Sequence, residues 1–295
     1  MSFLLLPHLK VQSANAMACG FIINSTPIMA ITQFVHNLVV RHMECEVLGV
    51  AVRHHHAEHQ ALEGVGYDVM PHQRRSAVLI NEQDYVGKGR QGPTLSAQPT
   101  ASCNLDLSLL IEYEGILDEE ALDAFLRTAR LAGGQIIGYG EPSPGDTAAE
   151  TLKTLTDSGY WLIERPELIE ETDPLGSAFD AMERRGVSAE RAEQLRAESP
   201  DHQDRPLHEI THVWVVPTVL GYQAITDFAE REGVRLQASM DTGEFTPTRH
   251  AYAEPLIGMV QYVPARSWDQ QIPFWRQHWL DADTLVVQCH CGAID

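Results

Sequence analysis

Three consecutive histidines, His54-His55-His56, with His59 close behind, are the residues in this chain best suited to acid–base or metal chemistry. On a strand, His54 and His56 would share a face and could ligate one ion. No acidic or cysteine partner stands at a diagnostic spacing, so hydrogen bonding to phosphate, or a plain polar strand end, accounts for the run better. Cys289-His290-Cys291 near the C-terminus offers two thiols, which alone define no site, and cysteine commonly packs as a small hydrophobe. Gly133-Gly134 and Gly138-x-Gly140 follow a helical pattern, whereas a dinucleotide loop follows a strand and opens a helix; a helix stop and a turn explain them. No Gly-x-Ser-x-Gly elbow accompanies the serines and histidines. His36 falls on a helical stretch as a core or interface residue, and no carboxylate pair stands apart from the solvated ones. Nothing here demands an enzyme, and no metal or other cofactor is expected.

Binding without chemistry fits the remaining polar residues. Gln12, Ser13 and Asn15 place short donors at the end of an apolar run. Arg53, His54 and His56 add charge or potential charge, and Arg74-Arg75 with Lys88-x-Arg90 put basic groups on a long irregular segment. Single-stranded RNA is held by such donors along its backbone while its bases splay and stack. The net charge of −20 opposes this, but its distribution does not. Residues 1–110 carry seven Lys or Arg against eight Asp or Glu, and eight of the histidines, which gain charge easily beside phosphate. The excess negative charge lies after residue 110, where it suits a surface facing solvent or protein.

These residues need elements to position them. Phe3 to Gln12 reads as a strand, and Leu4-Leu5-Leu6 points to burial on both faces. A small-residue loop follows. Ser25 or Thr26 then caps a helix with Pro27 in its first turn, and Ile28, Ile31, Phe34, Val35 and Leu38 recur at helical spacing up to about Met43. Glu46 to Arg53 is a second strand. Residues 58–102, rich in Gly, Gln, Pro and Arg with Val78-Leu79-Ile80 as the one apolar cluster, read as a protruding arm. Leu105 to Tyr113 is a third strand, Asp118 to Leu131 a helix ended by Gly133-Gly134, and Gln135 to Tyr139 a fourth strand. The order is that of a ferredoxin-like or RRM-like α+β core, with an insertion between its second and third strands. Residues 1–140 then form this unit with its arm at about 58–102, and 141–210 a linker (142–150) and charged helical insertion (174–205), with Tyr160–Ile163 as a strand. Residues 211–295 form a second α+β half: strand 211–216, helix 223–232, and strands 234–240, 255–263 and 284–289. Five scattered cysteines argue against a disulfide framework, and the apolar N-terminus is too short for a membrane span and lacks a basic leader, so a soluble cytoplasmic protein is expected.

The run Leu5-Leu6-Pro7-x-Leu9-x-Val11-Gln12-x-Ala14-Asn15-Ala16 resembles the opening of the second Csy protein family of type I-F CRISPR systems. Gly20-Phe21, Thr26-Pro27 and Phe34-Val35-His36-Asn37-Leu38 are similar to the same family. So are Arg130-Leu131-Ala132-Gly133-Gly134-x-Ile136 and Trp214-x-Val216-Pro217-x-x-x-Gly221-Tyr222-x-Ala224. The resemblance implies a RAMP-type protein with an RRM-like core and a thumb-like arm. It implies a non-catalytic subunit of a Csy (Cascade) antiviral surveillance ribonucleoprotein. Such a subunit binds the 5′ handle of CRISPR RNA, pairs with the large Csy subunit and caps the backbone Csy subunits. Target double-stranded DNA is met through the assembled complex, in which guide pairing supplies specificity, and no membrane is involved. The competing reading is a metal- or His-dependent RNA-processing endonuclease of the RAMP class, with His54–His56 as ligands or acid–base groups. A third is a lone protein-interaction module.

Overall fold

The computed structural model describes residues 1–19, 22–42, 44–63, 69–71, 74–75, 97–98, 101–183, 214–229, 236–238, 245–247, 249–268 and 271–290. The principal strands are β1 (Ser2–Asn15), β2 (Glu44–Glu63), β3 (Ser102–Ile116), β4 (Gly134–Gly138), β5 (Tyr160–Glu164), β6 (Trp214–Ala224), β7 (Ala253–Pro264), β8 (Phe274–Trp279) and β9 (Thr284–His290). The main helices are α1 (Ile28–His42), α2 (Glu119–Thr128) and α3 (Pro174–Glu183). The chain is a mixed α+β fold dominated by one twelve-stranded sheet, whose order runs β5-β7-β6-β9-β8-β2-β3-β1-β4 and ends on Arg130–Leu131. Its pairings are antiparallel, as in β1–β3, β1–β4 and β2–β3.

Both helices of the first half lie on one face of the sheet. Ile28, Ile31, Phe34, Val35 and Leu38 of α1 pack with Leu122, Phe125 and Leu126 of α2 on alternate residues of β3: Cys103, Leu105, Leu107, Leu109 and Ile111. The Phe34 and Phe125 rings meet at 5.1 Å. Leu4 and Leu6 of β1 join this core, whereas Leu5 enters a smaller one on the opposite face with Ala51, Leu110, Leu155, Trp161, Ile163, Val263 and Phe274. That is the two-sided burial expected of the leucine run. Asp118 caps α2, its carboxylate accepting from the Glu120 and Ala121 N–H groups at 3.0 Å.

The second half folds back on the first through β2. One edge of β2 pairs with β3. On the other edge, Val50 faces Trp275 of β8, while Arg53 and His54 face Trp161 and Tyr160 of β5. The strands β2, β8, β9, β6, β7 and β5 therefore close a circuit. Inside it sit Trp275 and Tyr262, both almost fully buried. The Trp275 indole N–H donates to the Leu162 carbonyl at 3.0 Å, across the junction of β8 and β5. The Tyr262 hydroxyl meets the buried Thr26 hydroxyl at the start of α1, and Thr218 donates to the Thr26 carbonyl at 2.9 Å.

Several elements depart from expectation. Strand β1 runs on to Asn15, so Ser13 and Asn15 are not in a loop. Strand β2 is 20 residues long, because β3 offers it a continuous ladder as far as Ser102. Helix α2 stops at Thr128; Arg130–Leu131 then pair with Gly134–Gln135, and Gly133 (φ 75°) turns the hairpin. In the supposed linker, Ser143–Gly145 pairs with Phe3–Leu5, and Thr147 caps a short helical turn. Strand β6 continues through Pro217 to Ala224, so no helix starts at 223; Tyr222, Gln223 and Ala224 are held in ladders by β7, and Tyr222 and Gln223 by β9 as well. In the arm, 69–71 pairs with 61–63 and Arg74–Arg75 with Ala97–Gln98. Val78–Ile80, most of the charged insertion (184–205) and Gly20–Phe21 lie outside the described residues. No described helix is long and apolar enough to cross a membrane.

Trp275→Ala removes the largest buried side chain at the junction of the two halves. We expect it to lower the unfolding free energy by about 3–5 kcal/mol, measured by denaturant titration against the parent chain.

Candidate nucleic-acid interface

The sheet face turned away from α1 and α2 is polar at the end where β1, β2, β3 and β4 run together. Its side chains are set by alternation. Ser102, Asn104 and Asp106 point away from the core that Cys103, Leu105 and Leu107 enter, and cross-strand partners share a face. Lys10 and His56 both stand opposite Asp106, Glu58 opposite Asn104, Gln60 opposite Ser102, and Gln12 opposite Gln135. Lys10, Gln12, Gln135, His56 and Glu58 are exposed.

Two bulges shape this face. Strand β1 carries one extra residue between Leu6 and Leu9 and another between Val11 and Ala14. His8 (φ 52°) and Ser13 (φ 55°) occupy these bulges in the left-handed region, a conformation that non-glycine residues keep only where their surroundings fix it. At Ser13 the fixing is visible. Its N–H donates to Asn104 Oδ1 at 3.1 Å, and the Gln60 amide donates to Ser13 Oγ and to Asn104 Oδ1, each at 3.2 Å. Ser102 donates to Gln60 Oε1 at 2.8 Å, and Asn104 donates to Glu58 Oε2 at 3.1 Å. The backbone of β4 approaches so closely that a Cβ on Gly134 would stand 2.7 Å from Gln12 O and Ala14 N. Past the bulge, the Asn15 side chain bonds the Met17 backbone N–H and carbonyl, both at 3.1 Å. A largely apolar cleft of ≈ 270 Å³ opens beside it, lined in part by Met17, Ile28, Met29, Ala132 and Tyr222.

The sequence candidates divide accordingly. Gln12, Ser13, Asn15 and His56 belong to the polar end of the face. Arg53 is buried: its guanidinium donates to the Leu155 carbonyl at 3.3 Å and to the Asp157 carbonyl, and lies 5.9 Å from the Trp161 ring centroid. Burial lowers its pKa, partly offset by Asp157. His54 is also buried, edge-on to Tyr262 at 5.1 Å. Burial, reinforced by His55, pushes its pKa down to about 4. The expectation that His54 and His56 share a face is overturned by a bulge in β2 between them. His54 pairs with Leu107 and His56 with Asp106, which are successive residues of β3 and so face opposite sides. They cannot jointly hold one ion. For Arg74 and Arg75 only the backbone ladder is described, and Lys88 and Arg90 lie outside the described residues. So does Cys291; the Cys289 N–H donates to Glu164 Oε2 at 2.8 Å within the closed circuit.

The sequence candidates did not include Lys10, Gln60, Asn104 or Gln135, which the structure brings to the same polar face. The alternation of Ser102-Cys103-Asn104-Leu105-Asp106 carried the signal, but the third strand was started too late to include it.

Because the depressed His54 pKa belongs to a base, the unfolded chain takes up its proton first as pH falls. Stability tied to His54 is complete above about pH 6.5, the unperturbed value, and drains away toward about pH 4. Between pH 7 and pH 5 this difference is about 2 kcal/mol. His54→Phe should therefore lose less stability than the parent over that interval, as read by urea denaturation at the two pH values.

A family model described as "CRISPR-associated protein (Cas_Csy2)" matches residues 4–287. No curated protein matches the chain. The family comprises non-catalytic, RNA-binding RAMP subunits of the type I-F Csy (Cascade) surveillance complex. The chain belongs to the Cas_Csy2 family and is a crRNA-binding, non-catalytic subunit of that complex.

Proposed function

We propose that the polar end of the β1–β4 sheet face grips the 5′ handle of the CRISPR RNA. The observation carrying this reading is the Ser13 bulge, locked by Asn104 and Gln60, which presents Gln12, Asn15, Lys10 and His56 on one rigid surface. Glu58 and Asp106 on the same face disfavour phosphates, so bases and riboses lie against the sheet. Phosphate charge is met by Lys10 and by Arg74, Arg75, Lys88 and Arg90 of the arm. The cleft beside Asn15 has the apolar walls and one aromatic ring that suit an unstacked base. Arg53 and His54 serve this surface from behind, by holding the 155–157 segment and the end of β2.

The RRM-like assignment of residues 1–140 is supported by the strand order β2-β3-β1-β4, antiparallel throughout, with α1 and α2 on one face. In this reading the thumb-like arm lies within residues 58–102, beyond the β2–β3 ladder that holds Glu58 to Gln60 and Ser102, with 141–210 the intervening segment and 211–295 the C-terminal half. The acidic remainder faces protein. The subunit pairs with the large Csy subunit, caps the backbone subunits, and meets foreign double-stranded DNA only through the assembled cytoplasmic complex.

Two sets of variants test the grip. Gln12→Ala with Lys10→Glu should weaken handle-RNA binding by the co-expressed complex at least tenfold, without releasing the large subunit. Arg74→Glu with Arg75→Glu should lower affinity and reduce the slope of log K against log salt by about 1–2, as expected for lost phosphate contacts. Filter binding across a salt series gives both quantities. Unchanged binding in the first pair overturns the assignment of the sheet face.

A further inference from the structure

The first bulge of β1, between Leu6 and Leu9, faces the bulge of β2 between His54 and His56 across β3. His8 and His55, the residues these bulges displace, stack at 4.3 Å with 28° between ring planes. Between them β3 supplies Asp106 and Ser108. His8 Nδ1 lies 2.9 Å from Asp106 Oδ1 and His8 Nε2 lies 2.8 Å from Asp157 Oδ2. His55 Nδ1 lies 2.8 Å from the Ser158 carbonyl, and His55 Nε2 lies 2.7 Å from Ser108 Oγ, which also accepts the His8 N–H at 3.0 Å. One ligating atom from each of His8, His55 and Asp106 falls within 4.8 Å of the other two.

We propose that His8, His55 and Asp106 form a site for a divalent cation of the zinc class. For His55 the hydrogen bonds fix which nitrogen points inward. A carbonyl only accepts, so His55 Nδ1 carries the proton toward Ser158, and its Nε2 lone pair faces the centre, where the Ser108 hydroxyl now satisfies it. The Asp157 carboxylate engages His8 Nε2 in the same way, leaving Nδ1 beside Asp106. Each histidine thus has the outer acceptor that metal-ligating imidazoles use to hold tautomer and orientation. Two imidazoles and one carboxylate suit zinc, with a fourth position left for water. Metal bonds of about 2.0–2.2 Å bring tetrahedral ligand atoms to roughly 3.5 Å apart, so a contraction of about 1 Å and an edge-on turn of the rings close the three on an ion. An ion entering would replace the His8 Nδ1 to Asp106 hydrogen bond, and any proton held there would be released. The bulges supply the reason for the strained backbone at His8: regular strands would send His8 and His55 elsewhere. The site would cross-link β1, β2 and β3 and tie the 157–158 segment to the sheet, at the border of the polar face. Sequence spacing hides it, because the three ligands come from three strands.

Cobalt(II), which reports coordination by its visible d–d bands, is the probe. Full-length chain dialysed against chelator and then titrated should bind one equivalent of Co2+ with resolved visible bands that Zn2+ displaces. Asp106→Asn and His55→Ala should abolish those bands, and His36→Ala, on the exposed side of α1, should keep them. Asp157→Asn, a change at a largely exposed side chain that leaves the fold intact, should weaken Zn2+ binding about 10–100-fold. Absence of visible bands in the parent chain overturns the proposal, as does binding in Asp106→Asn or Asp157→Asn equal to that of the parent.

Discussion

Backbone pairing along both edges of β2 is the constraint on which this architecture rests. One edge builds the first half of the molecule through β3; the other receives β8 at Val50 and β5 at Arg53 and His54. A strand so placed must be apolar on both faces where it is covered, and Val50, Ala51 and Val52 are. Arg53 and His54 follow at the point where cover passes to polar loops and to Tyr262. Their burial is tolerable because Arg53 spends its donors on the Leu155 and Asp157 carbonyls and His54 sheds its charge.

The polar face arises from the same rule of alternation, interrupted. Two inserted residues in β1 and two in β2, one of them at His55, change which side chains meet the core and which meet solvent. Had β2 been regular, His54 and His56 would stand together; had β1 been regular, Ser13 would not reach Asn104. The amide and hydroxyl network around Ser13 is therefore bound up with the backbone defect it stabilises, and Gly134 is held to glycine by the same close approach.

The first half was largely legible in the sequence because its signals are local and periodic: Leu4-Leu5-Leu6, the helical spacing from Ile28 to Leu38, and the Asp118 cap. Bulges leave no such trace. A run of histidines looks the same whether its strand is regular or carries an extra residue, so the side on which each falls was beyond reach. The second half misled for another reason. Residues 223–224 carry no strong strand pattern, yet strands on both sides hold Gln223 extended. Pro217 reads as a strand stop, but β6 continues past it, its carbonyl accepting from the Asn24 side chain at 2.5 Å. His8, Asp106 and His55 are distant in sequence, and only the register of three strands brings them to one point.

The closed circuit of β2, β8, β9, β6, β7 and β5 has a mechanical corollary. Opening the circuit would strip one margin of β2 of its partners and bare the Trp275 side chain to water, so the stability of each half is coupled to the other. The two halves, however separate they look along the chain, share one sheet.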